Sequence, residues 1–503
     1  MKRVAVSLFL TRDAESSEAF LVKRNPELKF FGAYWAFPGG VVDEEDRQVE
    51  VRHVPQLEEQ GLNQELPAFL AAAARELFEE TGLWLARGNT SPSPQQLRRD
   101  RKLLLEGEVS FEALLAASGC HLEGADFEPI CRITTPAFSP VRYDTWFFRC
   151  QIPAQAEIEI WPGELTDGAF FEAAQALQSW QRGEILIVPP VLILLEELKG
   201  RNSQSFLRHV RDLTASYARG KLHRVYFSPG VLLAPLATIT RPPASHTNAY
   251  LVGEQRMYLV DPGSADPAEQ QNLWELLDEL LQENRQLEGI LLTHSHSDHV
   301  GAVLECSRRY GMPVFAHAEA ASQLAGIEFA GHLEDGQELD LGNAPDGTQG
   351  WKLRCHLLPG HAPGHLAFQE SRYGAILAGD LISTVSSILI DPSQGDLATY
   401  MKSLQKLHDL SQGFVYPGHG PPARRGRRAV AKSIQHRQQR EAKLVAALES
   451  RPQPLGALLE RVYDDVSAAL LPLARRSLLS GLIYLEHKGQ VEKTWRGYRK
   501  PAK

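Results

Sequence analysis

Four potential metal ligands stand within six residues in the segment Thr293-His294-Ser295-His296-Ser297-Asp298-His299, directly after the apolar run GILL. A single histidine at such a place reads as structural or exposed; a cluster of four is hard to explain that way. Imidazole and carboxylate together suit Zn²⁺, and also iron or manganese. Three further donors follow apolar runs later in the chain: His361 in LPGHAPGH, Asp380 in AGD and His419 in YPGHG. Seven donors divide naturally into two sites that share one carboxylate. That leaves a position for a bridging water or hydroxide.

A second constellation has different chemistry. In Arg75-Glu76-Leu77-Phe78-Glu79-Glu80-Thr81-Gly82-Leu83 the three glutamates fall at i, i+3 and i+4 and share one helix face. Like charges so placed repel unless solvent or a cation screens them. A solvated acidic face is one reading. A Mg²⁺ site bridging carboxylates to substrate phosphates is the other.

These residues need elements to hold them. VAVSLFL and AFLVKR read as strands, AAAARELFEE as a helix, DTWFFRCQI as a strand, and PPVLILLEELKG as a helix ending at Gly200. AYLVGEQRMYLVDPG reads as a hairpin. GILLTH, VFAH, KLRCHLL, GAILAGD and GFVYPGH read as short buried strands with His or Asp at several C-terminal ends, where layered α/β folds carry their sites. After about residue 430 the pattern is helical, with a turn at Lys488–Gly489 before a strand. Three helices plus a hairpin describe a winged-helix type of module. The expected divisions are 1–200, a connector over 201–244, 245–425, and a basic C-terminal domain over 426–503.

The glutamate helix with the preceding Phe37-Pro38-Gly39-Gly40 resembles the Nudix box, a Gly loop followed by REUxEExGU. The helical half matches throughout. In the first half Asp46 stands where the family usually has Glu, and Arg75 comes 29 residues after it, about 21 more than usual. Coenzyme-A-type Nudix hydrolases look similar in carrying an insertion there, and ITTPAFSPVRYDTWFF also resembles that subgroup. The resemblance implies Mg²⁺ or Mn²⁺ on Glu79 and Glu80, with Glu76 a further ligand. It implies Arg75 orienting a carboxylate, Gly39 and Gly40 forming the phosphate loop, and a nucleoside-diphosphate-linked substrate such as CoA or acyl-CoA. The base is left open among Glu44, Glu45 and Asp46, which also read as an acidic turn.

The pattern HxHxDH … H … D … H, with the earlier Asp261-Pro262-Gly263, resembles the metallo-β-lactamase fold over about 245–425. It implies two Zn²⁺ ions, or Mn or Fe. His294, His296 and His361 would hold one, Asp298, His299 and His419 the other, and Asp380 would bridge them. A hydroxide between the ions would attack an ester, thioester or phosphodiester, with Asp298 orienting it. Asp261 and His365 are expected to support the ligands rather than bind metal, and His317 carries low weight. The fold class is thus an α/β multidomain protein: a Nudix α/β/α sandwich, a metallo-β-lactamase αββα sandwich and a small winged-helix-like domain.

Composition narrows the setting. A hydrophobic fraction of 43% and a charged fraction of 23% exclude wholesale disorder. The five cysteines are odd in number and contain no CxxC, so a disulfide framework is not expected and a reduced cytoplasm fits. The run VPPVLILLEEL is too short to cross a membrane. The net charge of -9 divides unevenly: from Pro421 onward there are 18 basic and 7 acidic residues. That tail resembles the C-terminal region of a group of single-stranded-RNA endonucleases with this metal domain. It either contacts RNA or packs against the acidic body. Three functions stay open: a fusion of two small-molecule hydrolases, an RNA endonuclease with an accessory Nudix domain, or a Nudix unit that only binds nucleotides.

Overall fold

The computed structural model describes residues 2–13, 18–56, 63–89, 92–201 and 203–502. Contacts divide the chain into two units, Met1–Phe227 and Ser228–Lys503.

In the first unit the strand Arg3–Thr11 runs parallel to Tyr143–Gln151, which pairs antiparallel with Glu128–Thr134. A second sheet orders Leu186–Ile187, Tyr34–Ala36, Glu18–Arg24 and Leu165–Glu172. The helix Leu66–Thr81 forms because an alanine-rich stretch with a Pro in its first turn carries no β-branched residue before Thr81. Gly82, at φ 74°, ends it by donating its N–H to Phe78 O. Leu66, Leu70, Ala73 and Leu77 lie on its buried face, in one core with Val6, Leu8 and Phe148. Glu76, Glu79 and Glu80 are therefore left on the less buried face.

The segment 201–244 is divided between the two units. Its helix Ser203–Ala218 belongs to the first unit, where Phe206 packs 5.6 Å from Phe9 and Arg211 donates to Pro129 O at 2.9 Å. Its strand Val231–Ala237 belongs to the second unit, paired along its length with His246–Gly253. Buried apolar residues, Phe206 and Val210 in the helix and Leu232 and Leu233 in the strand, draw each piece into a core.

In the second unit one sheet runs through Val231–Ala237, His246–Gly253, Arg256–Val260, Gln286–Leu291, Val314–Ala316 and Gly331–His332. The other orders Glu338–Gly342, Trp351–Leu357, Leu366–Glu370, Ile376–Ser383 and Val415–His419. Gln286–Leu291 has parallel neighbours on both sides, and its apolar run Ile290–Leu292 is fully buried, as expected for a central parallel strand. Helix Pro267–Gln282 starts at Asp266, whose side chain accepts from Ala268 N, and buries Leu273, Leu276, Leu277 and Leu280. Helix Leu397–Leu410 packs Tyr400, Leu404 and Leu407 in a core with Ile376, Ala378 and Val415.

The C-terminal residues are part of this second unit. They form the helices Gly426–Ala447, Leu455–Val462 and Leu471–His487 and the hairpin Glu492–Thr494 with Gly497–Arg499. By length and composition the stretch Ala468–His487 could cross a membrane, with a mean hydropathy of 1.3. In this fold its Leu478, Leu482 and Leu485 pack with Leu444, Leu458 and Val462.

Candidate metal centre

Five imidazoles converge where the strands Gln286–Leu291, Trp351–Leu357 and Val415–His419 end or run out into loops. Each has an outward nitrogen bonded to an oxygen acceptor. His299 Nδ1 meets Asp261 Oδ2 at 2.8 Å, and His419 Nδ1 meets the carbonyl of His246 at 2.8 Å. His361 Nδ1 meets Leu389 O at 3.1 Å, and His296 Nε2 meets Gln394 Oε1 at 3.0 Å. His294 Nδ1 meets Thr293 Oγ1 at 2.9 Å, and that hydroxyl spends its own proton on Asp261 Oδ2 at 2.6 Å. The acceptors assign the proton to the outward nitrogen in all five rings. In the neutral form of each ring the inward nitrogen is then the one with the lone pair, the tautomer a metal ligand requires.

The inward atoms crowd together. His296 Nδ1 lies 3.0 Å from both His294 Nε2 and His361 Nε2. Asp380 Oδ2 is 3.5 Å from His361 Nε2, while its Oδ1 is 3.5 Å from His299 Nε2 and 3.4 Å from His419 Nε2. Asp298 Oδ2 is 3.5 Å from His419 Nε2. Among the described residues, donor atoms come within 4.8 Å of one another in the groups His294–His296–His361–Asp380 and Asp298–His299–His419. A third group, Asp261–His294–His299, shares members with them. Asp261 is engaged by Thr293 N, Thr293 Oγ1 and His299 Nδ1, so its carboxylate orients a ring rather than facing the centre. Gly418 lets the strand pass close: a Cβ there would stand 2.3 Å from Asp380 Oδ1 and 2.9 Å from His299 Cε1.

On the helix Leu66–Thr81, Arg75 forms a fork on Asp46, with Nε–Oδ1 at 2.8 Å and Nη2–Oδ2 at 3.0 Å. The same guanidinium reaches Glu76 Oε1 at 3.0 Å, Glu79 Oε1 at 3.4 Å and Val41 O at 2.9 Å. Glu80 Oε2 instead accepts from Gly39 N at 2.9 Å. Gly40 presses on Glu76, since a Cβ would fall 2.2 Å from its Oε1. The Gly39–Gly40 turn and the glutamate helix are thus brought into contact. Asp46 is 1% exposed and committed to Arg75, whereas Glu44 and Glu45 are exposed in the short helical turn Glu44–Gln48.

Residues 242–419 match the metallo-beta-lactamase superfamily, and residues 1–105 match the NUDIX domain. Over 252 residues the chain is 30% identical to a beta-lactamase-like protein 2 homolog of Caenorhabditis elegans, covering 49% of this chain and 80% of that protein. The chain belongs to the metallo-beta-lactamase superfamily. A NUDIX domain precedes its metallo-beta-lactamase unit in the same polypeptide. The chain is also similar to an atrochrysone carboxyl ACP thioesterase of Aspergillus fumigatus, 28% identical over 41% of this chain and 60% of that protein. A crystal structure of a NUDIX hydrolase from Alicyclobacillus acidocaldarius covers 41% of this chain and 96% of its own, at 27% identity and a TM-score of 0.36.

The donor chemistry of the metallo-beta-lactamase unit fits two metal ions. His299 Nε2 and Asp380 Oδ1 are buried with no hydrogen-bond partner, a costly state for polar atoms unless a cation satisfies them. Burial holds His294 and His361 far below the ordinary imidazole range, hence neutral. Burial opposes charge on His299 too, yet Asp261 and Asp380 on its two sides hold it well above that range. A cation would replace the proton so favoured. The NUDIX carboxylates resist ionisation where they stand. Burial, opposed by Arg75 and reinforced by Glu79, pushes Glu76 up to about 7, and burial with Glu76 raises Glu80 well above the carboxylate range. That pattern suits a divalent ion, although in this arrangement Glu79 turns to Arg75 and Glu80 to Gly39.

Of the two remaining candidate histidines, only His365 touches the centre. His365 is fully buried, and its Nε2 accepts from Asp380 N at 3.2 Å. His317 caps the short helix Ala318–Ala321 by accepting from Glu319 N. Sequence reasoning missed Gln394, Thr293 and the carbonyls of Leu389 and His246. Amides, hydroxyls and backbone oxygens carry no ligand signature; only the HxHxDH cluster hinted that acceptors must exist somewhere.

Proposed function

We propose that the second unit hydrolyses a thioester or ester of a small acyl carrier such as CoA, and that the NUDIX unit cleaves a nucleoside-diphosphate-linked substrate such as CoA or acyl-CoA. The carrying observation is the ring of five imidazoles with outward protons and inward lone pairs around Asp380. His294, His296 and His361 would hold one ion, Asp298, His299 and His419 the other, with Asp380 between them. When bound, such ions polarise the substrate oxygen and acidify water. Asp298, which accepts from Thr247 Oγ1 at 3.4 Å, would orient the attacking water and carry its proton. Asp261 and Thr293 keep His294 and His299 in the receptive tautomer. The similarity to an ACP thioesterase supports thioester over other acyl substrates. In the NUDIX unit Glu76, Glu79 and Glu80 would hold Mg²⁺ or Mn²⁺, with Arg75 fixing Glu76 and Glu79 through hydrogen bonds.

An acyl-CoA panel on wild type, His296→Ala and Glu79→Gln tests both halves. Thiol release should vanish in His296→Ala alone, and diphosphate cleavage in Glu79→Gln alone. Thiol release that survives His296→Ala would end the first half of the reading.

A second reading rests on the arginines. An open surface depression of about 560 Å³ is lined by Arg424, Arg425, Arg427, Arg428 and His408, which suits a phosphate backbone and a single-stranded RNA endonuclease. Cleavage of single-stranded RNA that is lost in His294→Ala, without thiol release in the wild type, would favour it.

A further inference from the structure

The loop 384–396 joins the strand Ile376–Ser383 to the helix Leu397–Leu410 and supplies two of the acceptors around the metal centre. Leu389 O takes the outward proton of His361, and Gln394 Oε1 takes that of His296. Its turn is shaped by Asp391, whose carbonyl accepts from Gln394 N at 3.0 Å and Gly395 N at 2.7 Å. The Asp391 side chain also accepts from Ser393 N at 3.1 Å and Ser393 Oγ at 2.9 Å.

Two guanidiniums from the basic C-terminal segment grip this loop. Arg437, in the helix Gly426–Ala447, donates to the carbonyl of Ile388, next to Leu389, and lies 5.2 Å over the Tyr400 ring. Arg476, in the helix Leu471–His487, donates from Nη1 to Asp391 Oδ2 at 2.9 Å. Other basic residues of the segment pair within it: Arg440 with Asp465, Lys443 with Asp464, Lys488 with Glu441 and Arg499 with Glu492. Arg437 and Arg476 instead reach out of the segment to a loop that touches two candidate ligands.

The geometry points to a positioning role for the C-terminal segment: Arg437 and Arg476, acting through the loop 384–396, orient His361 and His296 and thereby set the affinity of the metal site those rings share. This rests on the metal-centre reading above. Groups that touch a ligand directly change metal affinity by about 10–100-fold when removed. Residues one contact further out should act more weakly, roughly threefold to tenfold each.

The test uses the full chain, stripped with a chelator and titrated with Zn²⁺ against a chromophoric competitor. Its variants are Arg437→Met, Arg476→Met, the double variant, Arg476→Lys, His296→Ala and, as a control that pairs with Glu449 on the surface, Arg451→Met. The double variant should bind one of the two ions about tenfold less tightly or worse, while Arg476→Lys stays near wild type and Arg451→Met matches it. Cobalt-loaded protein should show an altered visible spectrum in the double variant at full loading. Unchanged affinity and spectrum in the double variant, even with a lower melting temperature, would leave the arginines with packing alone and overturn the proposal. If His296→Ala also binds like wild type, it is the metal-centre reading that has failed. Should the double variant not fold, Arg476→Met carries the decision, because that side chain is 55% exposed.

Discussion

Arg75 bonds to Asp46, Glu76 and Glu79 at once, which makes it the residue on which the carboxylate helix depends. Asp46 is 1% exposed, so Arg75→Ala would leave its charge buried and unpaired. A loss of about 3–5 kcal/mol in the denaturant unfolding free energy of the first unit is expected. Arg75→Lys keeps the charge but not the fork and should fall between. Asp261→Asn belongs to the same scale: an amide cannot accept from Thr293 and His299 as the carboxylate does, and metal affinity should drop about 10–100-fold in the chelator titration. His223 gives a pH dependence. Burial against Tyr217, with ring centres 4.1 Å apart, lowers it to about 4. Its folded value lies below its unfolded one, so the native state binds fewer protons. Stability is present above about pH 6.5 and is lost as the pH falls toward 4. A melting series from pH 7 to 4 should steepen in wild type and flatten in His223→Phe, by on the order of 1–2 kcal/mol given partial exposure.

Strand ends and turns do the assembling. The parallel strand Gln286–Leu291 is legible as an apolar run, and its end carries four donors because they are adjacent in sequence. His361, Asp380 and His419 come from separate elements, and nothing local in the sequence states that they meet. Gly418 shows how tight the meeting is. Gly418→Ala would put a methyl 2.3 Å from Asp380 Oδ1, forcing the strand Val415–His419 away. A loss of about 1–3 kcal/mol is expected, together with weaker retention of metal on gel filtration. Gly40 has the same part against Glu76 in the first unit.

For the whole molecule, the division at Phe227/Ser228 keeps the glutamate helix and the histidine centre in different units. Substitutions so separated should act independently: Glu79→Gln and His296→Ala should each leave the other unit's rate within about twofold of wild type. The basic tail, read from its charge and its resemblance to endonuclease C-terminal regions, pointed to RNA or to internal packing. Its ion pairs and its two arginines on the loop 384–396 show that much of that charge is used within the second unit. By itself the sequence determined the two chemistries, because HxHxDH and REUxEExGU compress most of their donors into one turn or one helix face. The boundaries were less legible, because the helix Ser203–Ala218 and the strand Val231–Ala237 join their cores through apolar contacts that a Pro-containing stretch conceals. Only the tertiary structure decided which oxygens receive the outward imidazole protons. Those acceptors are backbone carbonyls, a threonine hydroxyl, an amide and an aspartate, and their role comes from direction and distance rather than residue type.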